Sequence, residues 1–402
     1  MKVIPKNIFA RILVLFYVCA ISWFGFVPEL LIFERLYYVC LIAVFVFLMF
    51  YNIPRLYWPG PLIIFGIWMV WCIIGSLTAI DQSLVLQRMI TVITRLLISF
   101  IILQLVVNYR LLNELLLSFV LATILLAPLC IMFPDRFSDE GGRMYGLTGN
   151  ANSFGIQVTA ALLACTYFFS NARNIFMKLL WVFFSTVCIY LILATGSRKA
   201  IVGVLILFAV FSFFEYRNLV RVSPLKAFRF VMAAMLASVL FVVAIVNSAH
   251  YDRIERIINA VSEEGGQSEL GKSEKNRLIL IEKGIETGLE NPVFGVGLKN
   301  FEKVNIGFLH GEVGTYAHSN YIELFATTGL IGVALYYLVW ITTGYQYFRF
   351  IKYYPNIASL GLTMLTILLI YDLGGVNYYH KVSWTSITLI FCCLRPRQLL
   401  RT

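Results

Sequence analysis

Residues 58 to 80 read WPGPLIIFGIWMVWCIIGSLTAI, and they contain no charged side chain. A helix that crosses the roughly 30 Å hydrocarbon core of a bilayer needs about 20 consecutive apolar residues. This stretch therefore predicts a membrane-spanning helix, and similar stretches recur along the chain. Of the 402 residues, 60% are hydrophobic and 13% are charged. Because a water-soluble domain of this length cannot bury so much apolar surface, we expect a single membrane domain over residues 1–402.

The apolar stretches predict an all-α polytopic membrane protein with about 12 transmembrane helices. The first stretch has a basic start but no small-residue cleavage site, so it is interpreted as a retained span. Spans are predicted near residues 8 to 26, 30 to 50, 58 to 80, 88 to 107, 112 to 133, 150 to 170, 175 to 194, 200 to 215, 228 to 246, 319 to 343, 358 to 371 and 382 to 394.

The basic residues predict the orientation of these spans. With the N-terminus inside, sixteen of them lie in cytoplasmic segments and seven in short outer loops, an arrangement that the positive-inside rule favours. Both termini are then cytoplasmic, and the long hydrophilic segment 247–318 becomes an extracytoplasmic loop. The net charge of +11 is spread over short loops. It lacks the continuous basic patch of a nucleic-acid interface, so no nucleic-acid partner is expected.

The cysteine pattern indicates neither a metal site nor a disulfide framework. All eight cysteines fall within apolar stretches, and none has metal-ligand spacing apart from the adjacent pair Cys392 and Cys393, which is too close to chelate well. We interpret them as core or lipid-facing residues, and the sequence predicts no metal and no cofactor.

Two adjacent cations follow the seventh predicted span, in the turn Ala194-Thr195-Gly196-Ser197-Arg198-Lys199. In the predicted orientation they lie at the outer surface, against the charge bias, which makes them candidates to bind an anion. Arginine suits this role because its planar guanidinium can grip phosphate with two parallel hydrogen bonds. The alternative is that both side chains extend to lipid headgroups.

The long loop contains a predicted amphipathic helix over residues 272 to 289. Its apolar side chains recur at helical spacing: Leu278, Ile281, Ile285 and Leu289. This pattern is typical of a helix that lies on the membrane surface or packs over the bundle. Arg277 stands near its beginning, where a helix N-terminus favours anions.

The four histidines, His250, His310, His318 and His380, all fall on the predicted outer side. Only His318 has an informative context, because it directly precedes the tenth span, where a neutral imidazole could take a proton from a hydroxyl. Glu323 lies about 140° around the same predicted helix, so we expect it to make a structural hydrogen bond rather than to pair with His318. Arg143 and Arg88 are additional candidates to bind an anion, together with Lys199.

Taken together, these motifs resemble the bacterial O-antigen ligase and polysaccharide polymerase superfamily of integral membrane glycosyltransferases. The resemblance covers roughly residues 145 to 335. It rests on Gly149-Asn150-Ala151-Asn152, Gly196-Ser197-Arg198-Lys199, Asn276-Arg277, Asn291-Pro292-Val293-Phe294-Gly295-Val296-Gly297, His318-Ser319-Asn320-Tyr321, Gly329 and Gly332.

The resemblance implies a metal-independent, inverting transfer of a glycan from a polyprenyl diphosphate to an acceptor hydroxyl. The partners would be the polyprenyl-diphosphate-linked oligosaccharide, a glycan or lipid A core acceptor, and membrane lipids. The active site would lie on the extracytoplasmic face of the bacterial inner membrane. Arg198 and Arg277 would hold the diphosphate, and His318 would act on the acceptor hydroxyl. The family's Asn-Pro-Asn-like element reads Asn-Ala-Asn here, so no binding role is carried onto Asn150 or Asn152.

The sequence is compatible with three functions. A polymerase would join lipid-linked repeat units into an O-antigen or capsule chain, and a ligase would move the finished glycan to lipid A core or another terminal acceptor. The third candidate is a transporter or flippase of lipid-linked oligosaccharides. A transporter favours polar breaks near the bilayer midplane in two matching halves, and the sequence contains no such repeat.

Overall fold

A computed structural model of the chain describes residues 7–24, 26–51, 56–139, 142–222, 272–307 and 314–399. In these residues the secondary structure is helical, apart from one isolated β-bridge between Ser138 and Met144. The α-helices are α1 (Ile8–Cys19), α2 (Leu31–Tyr51), α3 (Gly60–Gly75), α4 (Gln82–Tyr109), α5 (Leu112–Ile124), α6 (Ala127–Met132), α7 (Ala151–Asn171), α8 (Ile175–Ala194), α9 (Arg198–Val222), α10 (Lys272–Glu290), α11 (Phe301–Val304), α12 (Asn320–Phe350), α13 (Pro355–Tyr371), α14 (Lys381–Cys392) and α15 (Pro396–Leu399).

The helices have the length and composition of membrane spans. Seven of the described helical segments are long and apolar enough to cross a membrane, and α1, α13 and α14 are shorter and apolar. The described part of the chain is therefore all-α, with the helices of a polytopic membrane protein. A helix stands at each predicted span except the ninth, 228 to 246, which lies outside the described residues; the count of twelve stays a prediction.

The surface of α2 is suited to lipid rather than to water. Ile32, Val39 and Phe47 on this helix are each more than half exposed. In an apolar solvent such exposure has no hydrophobic cost. The cysteines agree with their interpretation as core or lipid-facing residues, because Cys40 is exposed on α2, the other seven are buried, and all eight are free.

A buried ionic cluster joins α2, α4 and α14. The Glu34 carboxylate lies 3.6 Å from the Arg95 guanidinium and 3.3 Å from Lys381 Nζ. The Tyr38 hydroxyl donates to Glu34 and accepts from Arg95. Buried charges of this kind persist only where opposite charges and hydrogen bonds compensate for lost hydration, so the cluster ties three helices together.

Helix α12 is not straight, although the sequence predicts one span over 319 to 343. Gly329 interrupts it with φ of 67° and ψ of −176°. In an unbroken helix, residues 320 and 337 would be about 25 Å apart. Instead Asn320 Nδ2 donates to the Tyr337 hydroxyl over 3.1 Å, and the Tyr321 and Tyr337 rings stack with centroids 4.4 Å apart. Residues 320–328, the short arm, therefore fold back toward residues 330–350, the long arm.

A helix, α10, lies where the amphipathic helix was predicted, but it packs through an unexpected face. Leu278, Ile285 and Leu289 are 51%, 40% and 67% exposed. The buried face carries Leu280 and Thr287 together with the small residues Gly284 and Gly288. The apolar periodicity predicted the helix and missed its contact surface, because close helix packing selects small side chains as well as apolar ones.

Candidate active site

The turn between α8 and α9 is held in place by the first turn of α7 and by the loop that precedes it. The Ser197 hydroxyl donates to Asn152 Oδ1 over 2.9 Å, and the Met144 amide donates to the Ala194 carbonyl over 3.0 Å. Gly196 adopts φ of 60°, a left-handed conformation that suits glycine. Arg143 Nε donates to the Thr195 carbonyl over 3.3 Å. Tertiary contacts thus bring Arg143 beside the predicted anion-binding turn.

The two cations of this turn have different surroundings. Arg198 is the exposed first residue of α9. Lys199 extends toward the loop after α13, where its Nζ donates to the Gly374 carbonyl over 2.5 Å and lies 5.7 Å from the Tyr371 ring centroid. A Cβ on Gly375 would come within 3.0 Å of Lys199 Nζ, so the loop fits closely around the ammonium.

The loop after α13 carries a buried carboxylate that sequence reasoning missed. Asp372 Oδ2 accepts hydrogen bonds from Asn320 Nδ2 at 3.2 Å and from the Tyr337 hydroxyl at 3.1 Å. Its Oδ1 accepts a hydrogen bond from Asn377 Nδ2 at 2.7 Å. Its backbone carbonyl accepts one from the backbone N–H of Asn320 at 2.8 Å. The sequence does contain a signal for this residue, because Asp372 directly follows a predicted span and stands shortly before two glycines. This network fixes the start of α12 against the loop that holds Lys199.

Arg277 lies on the face of α10 that packs against the short arm of α12. With 3.6 residues per turn, residues 277, 284 and 288 point within about 40° of one another. Gly284 and Gly288 contact Ile322 and Phe325 of the short arm. Arg277 Nε is buried and has no hydrogen-bond partner among the described residues. The charge of Arg277 acts on Tyr316 and His318, so the guanidinium lies near the segment that leads into α12.

His318 stands two residues before α12, in a strained backbone conformation with φ of 55°. Such conformations are uncommon for residues other than glycine and often occur at functional sites. Its ring packs against Tyr316, with centroids 4.3 Å apart. Burial, together with the smaller effects of the positive charges of Arg277 and Lys199, lowers the pKa of His318 to about 4. The imidazole is therefore neutral at pH 7 and able to accept a proton.

Glu323 has the structural role expected from its position. Its Oε2 accepts a hydrogen bond from the Ala317 amide over 2.8 Å. The carboxylate thereby holds the segment that leads into His318, as a hydrogen-bonding residue inside the bundle.

Arg88, one of the additional candidates, belongs to a separate cluster. Its guanidinium lies 3.2 Å from the Glu302 carboxylate and 3.5 Å from the centre of the Tyr379 ring. An ion pair with a carboxylate satisfies much of the binding capacity of a guanidinium, so Arg88 lies outside the candidate site.

The described structure therefore brings together cations from two parts of the sequence with one imidazole. The charges of Arg277 and Lys199 both act on His318, and those of Arg277 and Arg143 act on Lys199. His380 lies at the N-terminus of α14, where its Nε2 is 3.2 Å from the Ser153 hydroxyl. His250 and His310 lie outside the described residues. Within the described part of the chain, no group of three or more His, Cys, Asp or Glu side chains is arranged to hold a metal.

The fold and this site define an integral membrane protein with a cationic site beside a neutral histidine. The family model described as O-antigen ligase matches residues 182–337, and the match confirms the resemblance to the O-antigen ligase and polysaccharide polymerase superfamily. It covers less than half of the chain, yet it contains Arg198, Lys199, Arg277 and His318. The family indicates a membrane enzyme of ligase or polymerase type, with lipid-linked glycan and acceptor substrates. The comparison with curated proteins finds no matching relative.

Proposed function

We propose that this protein is a membrane glycosyltransferase that polymerises oligosaccharide repeat units linked to a polyprenyl diphosphate. The observation that carries the proposal is the placement of neutral His318 within the electrostatic influence of Arg277 and Lys199. A base and an anion-binding pair in one place are the two requirements for transfer of a glycan from a diphosphate.

The proposed reaction is a single displacement. The acceptor hydroxyl oxygen attacks the anomeric carbon of the donor sugar, and the new C–O bond forms as the bond to the diphosphate breaks. The electron pair of the broken bond leaves with the diphosphate oxygen, and the hydroxyl proton passes to His318. Because attack occurs opposite the leaving group, the anomeric configuration inverts. A positioned base contributes about 10²- to 10⁴-fold to such a rate.

The cations stabilise the charge that develops on the leaving diphosphate. Arg277 reaches the site from α10 and Lys199 from the start of α9, so the two flank the ligand from separate elements. Arg198, exposed at the head of α9, supplies a second guanidinium to the same diphosphate, and Arg143 adds charge beside Lys199. Fixed cations need no reorganisation as the charge develops, which lowers the barrier by several kcal/mol.

The proposed topology has twelve spans with both termini in the cytoplasm. The segment 247–318 then forms an extracytoplasmic loop, and the site faces the outer side of the inner membrane. A membrane-embedded bundle suits a donor with a long lipid tail, because the tail can remain in the bilayer while the diphosphate reaches the site.

Loss of turnover in point variants tests the enzymatic assignment. In a purified assay with a lipid-linked donor, His318→Ala, Arg277→Ala and Arg198→Ala are each expected to remain folded and to lose turnover by about 100-fold or more. Lys283→Ala is a matched control, because Lys283 lies on α10 and pairs with Glu286. Turnover near the wild-type level in all three site variants would exclude this assignment.

A ligase is the second candidate, and the description of the matching family favours it. The choice of polymerase rests on our interpretation of Gly196-Ser197-Arg198-Lys199, one of the motifs of the superfamily resemblance, as more typical of a polymerase. A deletion strain separates the two functions. Loss of long chains, with one repeat unit still attached to the terminal acceptor, supports the polymerase; long chains that accumulate on the lipid carrier indicate the ligase.

A further inference from the structure

Two glycines one turn apart on α10 lie at its contact with the short arm of α12, beside a small apolar cluster that joins Leu280 to Ala326 and Ile322. A Cβ on Gly284 would overlap Ile322 Cγ2, and a Cβ on Gly288 would overlap the Phe325 ring, both well inside van der Waals contact. Pairs of small residues at this spacing let two helices approach more closely than larger side chains allow. The present separation of α10 and the short arm therefore requires glycine at these two positions.

The same face of α10 carries Arg277. Residue 277 lies seven positions before Gly284, which is close to two full turns, and it points in nearly the same direction. The exposed stripe of Leu278, Ile285 and Leu289 is centred about 100° away. A change in the separation of the two helices therefore moves Arg277 toward or away from the segment that leads into His318.

We propose that Gly284 and Gly288 are positioning residues that set the distance between the Arg277 guanidinium and the His318 imidazole. This inference rests on the proposed function for its effect on turnover, whereas its effect on geometry can be measured without any substrate. A methyl group at either position forces α10 outward by about 1 Å, and a displacement of that size at a reacting centre can cost about 100-fold in rate.

The titration of His318 distinguishes positioning from simple packing. Tyr316 packs on the His318 ring from its own segment, and the charges that face it are Arg277 from α10 and Lys199 from α9. Withdrawal of Arg277 removes one of these two positive charges, so it raises the pKa of His318. His380 provides an internal control, because the charges that act on it come from Lys381, Arg95 and Lys199 and not from Arg277.

The experiment compares Gly284→Ala and Gly288→Ala with Arg277→Ala and with Ile285→Ala, a control at a half-exposed position of the same helix. Reaction of each histidine with diethylpyrocarbonate, followed by mass spectrometry across a pH series, gives the pKa of His318 and of His380. Both glycine variants are expected to raise the pKa of His318 in the same direction as Arg277→Ala, to leave His380 unchanged, and to lower turnover about 10- to 100-fold.

Rescue completes the test. Ile322→Ala removes the atom that a methyl at position 284 would overlap, so adding it to Gly284→Ala is expected to restore both the His318 titration and turnover. If a glycine variant does not fold, Phe325→Trp enlarges the facing side of the same contact and is expected to shift His318 likewise. The proposal is wrong if Arg277→Ala shifts His318 while the folded contact variants titrate as wild type. Absence of turnover in the wild-type protein would count against the proposed function alone, because the titration needs no substrate.

Discussion

Asn320 and Tyr337 are seventeen residues apart on one helix, yet their side chains are joined by a hydrogen bond of 3.1 Å. The contact exists because Gly329 reverses the direction of α12. It brings the residue that follows His318 and Ser319 to the Asp372 carboxylate, which accepts hydrogen bonds from both Asn320 and Tyr337. The break is therefore part of the mechanism that positions the proposed base.

Replacement of the residue at the break should be severe. Gly329 has φ of 67°, and a Cβ there would overlap the Val293 and Pro292 carbonyl groups. Gly329→Ala is expected to lower the free energy of unfolding by more than the roughly 1 to 3 kcal/mol of backbone strain alone, because backbone atoms must also move. Thermal unfolding in detergent measures the loss. Gly66→Ala is the control, since a Cβ at Gly66 meets nothing within 4 Å; similar unfolding temperatures for the two variants would contradict this account.

The pH dependence of turnover should report the low pKa of His318. Because its pKa is about 4 rather than 6.5, the basic form persists well below pH 6. The acidic limb of kcat/KM is therefore expected near pH 4 to 5, and not near 6.5. His380→Gln, which changes a histidine outside the proposed machinery, should leave this limb in place. An acidic limb at pH 6.5 in the wild-type protein would show that His318 is not the base.

The lowered pKa of His318 also makes the free energy of unfolding depend on pH. The unfolded chain binds a proton at His318 near pH 6.5 and the folded protein only near pH 4, so the unfolded state binds more protons between these values. The free energy of unfolding should accordingly fall as the pH falls from 6.5 toward 4. Denaturant titrations of wild type and His318→Gln across this range measure the contribution, which should be smaller in the variant.

Removal of the Lys199 charge should weaken the use of the donor. Lys199 lies against the Gly374 carbonyl and within the electrostatic influence of Arg277. Lys199→Met keeps most of the side-chain volume and removes one of the cations assigned to the diphosphate. Turnover with the lipid-linked donor is expected to fall about 10- to 100-fold. Lys303→Met, which removes a cation paired with Asp81 at the surface, is the control; equal effects of the two substitutions would argue against a specific role for Lys199.

The buried cluster around Glu34 should matter for stability. Glu34→Gln leaves the Arg95 and Lys381 charges buried without their carboxylate, and loss of one partner from a buried pair typically costs about 3 to 5 kcal/mol. Glu286→Gln breaks only the surface pair with Lys283, in which Glu286 is 54% exposed, and should cost less than about 1 kcal/mol. Chemical unfolding of both variants in detergent makes the comparison. A Glu34 variant as stable as the Glu286 variant would show that the cluster is dispensable.

The sequence predicted the elements whose signal is local. Continuous apolar runs predicted the described spans, and the 3.6-residue period over residues 272 to 289 predicted α10. The sequence also predicted the candidate cations and the candidate base. These are Arg198, Lys199, Arg277 and His318, and all four fall within the residues that match the family. Each of these signals lies within one element, where spacing along the chain translates directly into direction around a helix.

Other features depend on residues that are far apart in sequence. A single Gly329 between apolar neighbours resembles any glycine in a helix, and its break follows from close contact with Pro292 and Val293 of another segment. The ion pair of Arg88 joins it to Glu302, and no local pattern connects two residues so distant in the chain. The role of Asp372 also depends on distant residues, because its hydrogen-bond donors come from α12 and from the loop that follows α13.

By itself, then, the sequence determined the membrane-spanning character of the chain, the approximate positions of its helices and the residue types available for catalysis, because lipid solvation and helical period act on neighbouring residues. The tertiary structure decided which cations face His318, which side of α10 packs inward, and that α12 turns back at Gly329. These outcomes depend on close packing and on charge pairs between distant segments, and such contacts come into existence only when the chain has folded.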